Sequence, residues 1–271
     1  MIFSLEKKTG GRRRAGRAGK RLNFATAMQE SIHAIVLRAV RYSDARQVVD
    51  LYTREHGRLA VVAPARKGGQ HSRVRAALWR QLNLVEMQLD RRPGKLSWPR
   101  EPHIYCAYAS LPFHPVKAAV ALFISELLAN ALRAEVAEPA LYDYVEMSLR
   151  WFDGAQRGLG NFHLVFMLRL MRFMGIWPDV TGYRQGAGFD LMAGEWCRGI
   201  PQHGHWLKPD EAQWLPLLAR MNYRNMHLCR FSQRQRRRMA QVMNDYFRLH
   251  LPPFGELRSL DVLAEVFDNE R

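Results

Sequence analysis

Between residues 31 and 108, apolar side chains tend to fall on every second position. SIHAIVLRAVRYS and RQVVDLYTRE both alternate, and His56-Gly57 separates the second from RLAVVAPA. Strand, glycine turn, strand reads as a hairpin. LWRQLNLVEMQLD alternates again, with Leu82, Leu84, Glu86 and Gln88 on one side and Val85, Met87 and Leu89 on the other. RRPGK is a Pro-Gly turn, and LSWPREPHIYCAY supplies a fifth strand whose two prolines suit an edge or a bend. Five short strands in about eighty residues predict a small barrel or partly open sheet, of which the OB-fold is one solution of the right size.

The period changes at Leu111-Pro112. HPVKAAVALFISELLANALRAE is apolar at helical spacing nearly all round, which predicts a buried helix. Pro139 opens a helix over ALYDYVEMSLRWFD, and Asn161 is the expected N-cap of FHLVFMLRLMRFMG, which ends at Gly175. Residues 178–206 are rich in glycine and read as irregular. Beyond them Pro209 opens a helix, Ser232 caps one over QRQRRRMAQVMNDYFRLHL, and Ser259 caps LDVLAEVF. The expectation is an α+β chain, with a β domain over 28–108 and an all-α domain of about six helices over 109–271. Residues 1–27 hold glycine and arginine without strand or helix period and read as a disordered basic extension.

Charge sharpens this division. The chain has 271 residues and a net charge of +16, and hydrophobic residues make up 48%, enough for a sizeable core. Residues 1–27 carry +7, residues 28–108 another +7, and residues 109–271 only +2. The positive field belongs to the first hundred residues and favours a polyanionic partner there. Three cysteines, Cys106, Cys197 and Cys229, show no paired spacing, which suits a reducing compartment. No apolar run reaches membrane-spanning length, and the opening segment lacks the apolar stretch of a secretory signal.

The motifs narrow the chemistry. The loop after RLAVVAPA reads RKGGQHSRVR, but its lysine precedes the glycines and no GK[ST] follows, so it is not a nucleotide cradle. GxGxxG, HExxH and GxSxG are absent. Asp44, Asp50, Glu55, Glu86 and Asp90 are scattered along the β region, a weak basis for a metal-dependent nuclease. Cys197, His203 and His205 offer one sulfur and two imidazoles, but zinc needs a fourth ligand and paired spacing, so no metal is expected. The candidate nucleic-acid contacts are Arg54, Arg58, Arg66, Lys67, Arg73, Arg75, Arg80, Arg91, Arg92 and Lys95, interleaved with Tyr52, Trp79 and Trp98. Arginine forks suit phosphate oxygens and aromatic rings suit bases. At least one of the two tryptophans is expected in the core. An OB protein acting on RNA fits these features too, because phosphate contacts carry little identity.

The assembled pattern resembles the RecO family of bacterial recombination-repair proteins. SIHAIVLRAVRYSDARQVVDLYTREHGRLAVVAPARKG carries the first part of the likeness, LRLMRFMGIWPDV the second and FRLHLPPFGELRSLDVLAEVF the third. The resemblance implies an N-terminal OB-fold barrel followed by a helical domain, in a cytoplasmic, nucleoid-associated protein that is not an enzyme and needs no cofactor. It implies binding of single- and double-stranded DNA, annealing of complementary strands, and help in loading RecA together with RecR. A further implied partner is the acidic tail of the single-strand DNA-binding protein. Such a tail would want a hydrophobic pocket rimmed by cations, for which Arg169, Arg172 and the arginines at 234–238, Arg234 and Arg237 among them, are candidates. Many members carry a four-cysteine zinc module where this chain has DVTGYRQGAGFDLMAGEWCRGIPQHGHW, with Cys197 alone. The resemblance also makes Met28 a more natural start than Met1.

Overall fold

A computed structural model describes residues 29–65, 76–90, 96–133 and 136–268. Five antiparallel strands come first: β1 (Gln29–Arg41), β2 (Arg46–Thr53), β3 (Gly57–Pro64), β4 (Leu84–Asp90) and β5 (Pro99–Cys106). Their order in the sheet is β3-β2-β1-β4-β5. The long β1 serves two partners, pairing with β4 from Gln29 to Ile35 and with β2 from Ala34 to Arg41. A bulge between Val36 and Arg38 adds twist where the second pairing takes over. The sheet curls until its edges meet at one parallel bridge, Val61 to Ser97, giving a partly open barrel.

The expected strands are present, with one correction. Leu78–Asn83, read as the start of a strand, is a helical turn running into a bend, and Leu82 takes a positive φ of 62°. That bend returns the chain to β1, where Leu82 N–H donates to Val36 O at 2.7 Å.

Both faces of β1 are covered. Ile32, Ala34 and Val36 enter the barrel core with Val49, Leu51, Val61, Trp79, Val85 and Met87. Ile35 and Leu37 face outward, where with Tyr52, Leu82 and Leu84 they join the core of the helical part. This explains the unbroken apolar run at residues 34–37 inside an otherwise alternating strand.

The helical part contains α1 (Pro115–Ala131), α2 (Pro139–Gly154), α3 (Leu159–Phe173), α4 (Pro209–Ala212), α5 (Leu215–Arg220), α6 (Gln233–His250) and α7 (Ser259–Asp268). The helix expected from Pro209 is two short ones, α4 and α5. Helix α1 lies against the barrel, burying Val116, Val120, Phe123, Ile124, Leu127 and Leu128. Its Ser125 hydroxyl donates to Leu37 O across the junction. Ser232 caps α6 through a capping box with Gln235, as the sequence predicts. Gly175, at φ 69°, closes α3: its N–H reaches Arg172 O and the Ile176 N–H reaches Met171 O.

Two caps differ from expectation. Helix α3 begins two residues before Asn161, after Gly158, and the Asn161 amide instead donates to the carbonyls of Met226 and Cys229. At α7, the Glu126 carboxylate of α1 accepts the Arg258 and Ser259 N–H groups at 3.1 and 2.8 Å, and the Ser259 hydroxyl donates to it as well. A carboxylate reaching from another helix supplies both the acceptor and the negative charge that an α-helix N-terminus favours.

The glycine-rich segment is not wholly irregular. It forms a small sheet in the order β7-β6-β8, from β6 (Gly188–Asp190), β7 (Glu195–Cys197) and β8 (Trp206–Leu207). Gly188 is required there, because a Cβ would stand 2.8 Å from the Trp206 ring. No described helix is long and apolar enough to cross a membrane.

The connection into α1 is tied down by Asp153. Its carboxylate accepts the N–H groups of Ala109, Ser110 and Leu111 at 2.8, 2.8 and 2.6 Å. The buried Lys117 ammonium donates to Ser110 Oγ and Asp153 O. Burial alone would raise the Asp153 pKa, but the three N–H donors outweigh it and hold the carboxyl below its ordinary value. A carboxylate with a lowered folded pKa adds stability above its unfolded pKa of about 3.9, and that stability is lost as pH falls through the folded value. Asp153→Asn is therefore expected to lower stability at neutral pH and to flatten its dependence on pH below about 4. Denaturant titrations from neutral to strongly acid pH measure this; an unchanged acid limb in the variant would remove Asp153 as a source of that dependence.

Candidate nucleic-acid interface

Described residues flanking three connections of the barrel lie at one rim. Between β1 and β2, the N–H groups of Tyr42 and Ser43 both reach Arg46 O, at 3.0 and 2.9 Å, and Tyr42 is 78% exposed. At the end of β3, Ala65 N–H donates to Ala45 O at 2.9 Å, which puts the residue that precedes RKGGQHSRVR in sequence beside that turn. The chain returning from RRPGK enters at Leu96, and Val62 N–H meets Ser97 O at 3.0 Å.

At this rim the Arg46 guanidinium lies 5.3 Å from the centroid of the Trp98 ring. Trp98 is 48% exposed, Leu96 two residues before it is exposed too, and so is Val40 near the end of β1. Trp79 is buried in the barrel, so one tryptophan is core and the other surface. An indole beside a planar cation offers a base a stacking partner and its phosphate a counter-charge. Arg46 and Tyr42 were outside the sequence-derived set. Arg46 opens β2 straight after an exposed turn, but its neighbour Trp98 lies 52 residues on, a pairing visible only once the barrel curls.

The sequence-derived cations fall into distinct groups. Arg66, Lys67, Arg73, Arg75, Arg91, Arg92 and Lys95 lie outside the described residues. Arg80 is exposed on the bend before β4. Arg54 and Arg58 point to the helical part rather than to the open rim. Arg54 grips Asp143 of α2 through two nitrogens at 2.8 and 3.2 Å. Arg58 donates to Ala129 O and Leu132 O at 2.7 and 3.0 Å, and to Asp50 at 2.9 Å. It thus satisfies carbonyls at the end of α1, where a cation is favoured.

Four of the five scattered carboxylates have partners. Asp50 receives Arg38 and Arg58, Asp44 receives Arg41, Glu55 faces His33, and Glu86 takes Ser31 and His103. Asp90 ends β4. Near the small sheet, His203 Nε2 is 3.2 Å from Asp190 Oδ2, and the His203 and His205 ring centroids are 6.2 Å apart. Burial, with Asp190 adding to it, pushes the Cys197 thiol up. Among the described residues no three His, Cys, Asp or Glu side chains stand where they hold a metal ion.

A second feature lies between α6 and α7. A cavity of about 270 Å³ has apolar walls from Leu260, Leu263 and Phe267 and is lined by Arg234, Arg236 and Arg237. His163 of α3 forms part of its floor, 2% exposed, with Nδ1 lacking any hydrogen-bond partner. Burial, reinforced by Arg236, pushes the His163 pKa down to about 3, so the ring is neutral near pH 7. The cationic residues near the start of α6 are therefore sorted: Arg234 and Arg237 line the cavity, while Arg238 is bound by Glu211 at 2.7 and 2.9 Å. The other two partner candidates lie apart from it. Arg169 donates to Met221 O, and Arg172 lies over the Trp177 ring at 5.2 Å.

A curled antiparallel sheet with an aromatic and cationic rim, followed by packed helices, defines an α+β protein with an OB-like N-terminal part. Residues 28–101 match the family model for Recombination protein O N terminal, and residues 113–261 that for Recombination protein O C terminal. The chain belongs to the RecO family. It is 41% identical over 241 residues to the DNA repair protein RecO of Phocaeicola vulgatus, an alignment covering 89% of this chain and all of that protein. The DNA repair protein RecO of Bacteroides fragilis is 37% identical, again over 89% of this chain and all of its own length. That of Porphyromonas gingivalis is 31% identical over 87% of this chain and 98% of its own.

Proposed function

We propose that this protein is a DNA-repair and recombination mediator that holds DNA at the barrel rim and a protein partner in the α6–α7 cavity. The observation that carries the first half is the exposed Trp98 under Arg46, set beside the roots of two strongly basic loops. Cations in those loops neutralise phosphates and release counterions, which supplies most of the affinity. Two strands held with reduced charge pair more readily, so annealing needs no bond-breaking chemistry. The family and the names of the relatives support DNA as the polymer and a cytoplasmic, nucleoid-associated setting. In this reading the protein acts with RecR to help RecA onto strands coated by the single-strand DNA-binding protein.

The cavity suits the acidic tail of that coating protein. Apolar walls take a terminal apolar side chain and the arginines take its acids. Arg234→Glu combined with Arg237→Glu is expected to weaken an acidic, apolar-ended peptide by about tenfold or more, through like-charge repulsion. DNA affinity at the rim should persist. Fluorescence anisotropy with labelled peptide and labelled DNA reads both, and equal loss of the two would show a general folding defect instead.

The overall test is annealing of complementary strands, bare and coated with single-strand DNA-binding protein. Acceleration in both cases is expected. A clear preference for structured RNA in a competition arm would overturn the reading.

A further inference from the structure

We propose that the last turn of α7 is a removable plug: Phe267 forms a movable wall that narrows the α6–α7 cavity, and an incoming acidic peptide displaces it. This rests on the reading of that cavity as a peptide site.

The two ends of α7 are held differently. At its start, Glu126 binds two backbone N–H groups and a hydroxyl, and Leu260 and Leu263 are buried beside it. At its end Phe267 is buried as well, but the backbone is tied by one side-chain bond, from Gln233 Nε2 to the Phe267 carbonyl at 2.6 Å. The Arg237–Asp261 pair of the first turn spans 3.7 Å between side chains 63% and 82% exposed, where solvent leaves it little strength. The last turn of a helix has carbonyls without partners inside the helix, and such turns open first.

What Phe267 does in the cavity matches what a peptide would do. Its ring lies 5.5 Å from the His163 ring and 5.9 Å from the Arg236 guanidinium. An external ligand of the class proposed above, acidic and apolar-ended, brings an apolar side chain of the same kind and adds a carboxylate.

The plug is an imperfect occupant. The Phe267 ring offers no acceptor or donor to His163 Nδ1, which stays buried without a partner. That leaves a desolvation cost uncompensated. A peptide bringing a carboxylate or carbonyl to the same place satisfies the neutral imidazole. The open cavity, about 270 Å³, holds roughly one large side chain; with Phe267 swung out, there is room for an aromatic and its terminal carboxylate.

The test compares three full-length proteins: wild type, Phe267→Ala and Gln233→Leu. Gln233→Leu cuts only the tether to the Phe267 carbonyl and spares the packed ring, so it guards against a folding defect in the first variant. The probe is a short fluorescent peptide of aspartates ending in phenylalanine with a free carboxylate. Both variants are expected to bind it about three- to thirtyfold more tightly, because the closed state no longer reduces the competent population. In wild type, adding peptide should speed amide hydrogen exchange in the last turn of α7. Unchanged or weaker binding by both variants, or slower exchange there, would overturn the plug. If none of the three proteins binds the peptide, the peptide reading itself fails.

Discussion

Trp98→Ala is expected to weaken single-stranded DNA binding by about 1–3 kcal/mol, the usual worth of one stacked base, with the salt dependence left almost unchanged. Replacing the seven cations of the two loops, Arg66, Lys67, Arg73, Arg75, Arg91, Arg92 and Lys95, should do the reverse. If each neutralises one phosphate, the slope of log affinity against log salt falls by about 5 to 6. Titrations at several salt concentrations separate the two effects. Stacking is a short-range contact that releases few ions, whereas phosphate neutralisation is read out as ion release. A slope in Trp98→Ala reduced as much as in the loop variant would mean that the indole positions cations and does not meet bases. A loop variant with the wild-type slope would leave those segments as solvated turns.

Cutting the chain at residue 108 is expected to give two fragments that do not fold on their own. Ile35, Leu37, Tyr52, Leu82 and Leu84 belong to the core of the helical part although they lie in the barrel sequence. Each buries an apolar side chain worth about 1.5–3 kcal/mol, and together they rival the whole stability of an ordinary domain. The junction also loses the two carbonyl bonds of Arg58, the Arg54–Asp143 pair and the Ser125 bond to Leu37. Full-length protein should therefore melt in one cooperative transition, with calorimetric and van't Hoff enthalpies in agreement. Two separate transitions, or a well-folded 28–108 fragment, would contradict a shared core.

The parts legible in sequence were those fixed by near neighbours. Alternation and the His56-Gly57 turn locate β1 to β3, and Ser232 with Gln235 marks the start of α6. What stayed hidden depends on groups far apart in the chain. Asn161 has the chemistry of a cap, but the carbonyls of Met226 and Cys229 lie within reach and take its amide. Arg54 and Arg58 look like surface cations until α1 and α2 pack over them. Strands of two or three residues, as in the small sheet, are too short to show a period. The same holds for the candidate sites. The basic loops announce themselves by composition, whereas the Arg46–Trp98 contact and the grouping of His163 with Arg234 and Arg237 require the fold.

Strand β1 is a wall common to both hydrophobic cores, and this fixes how far apart the rim and the cavity stand. In the proposed reading, a partner that coats DNA and carries a flexible tail meets two sites that cannot swing toward each other. Once its tail is seated, the strand it covers is delivered to the rim at an effective concentration set by the tether alone. Shortening that tether below the separation of the two sites would abolish the joint engagement, while lengthening it would erode the gain only gradually. The length of the partner's linker, and not only the chemistry of its end, thereby becomes a determinant of selection.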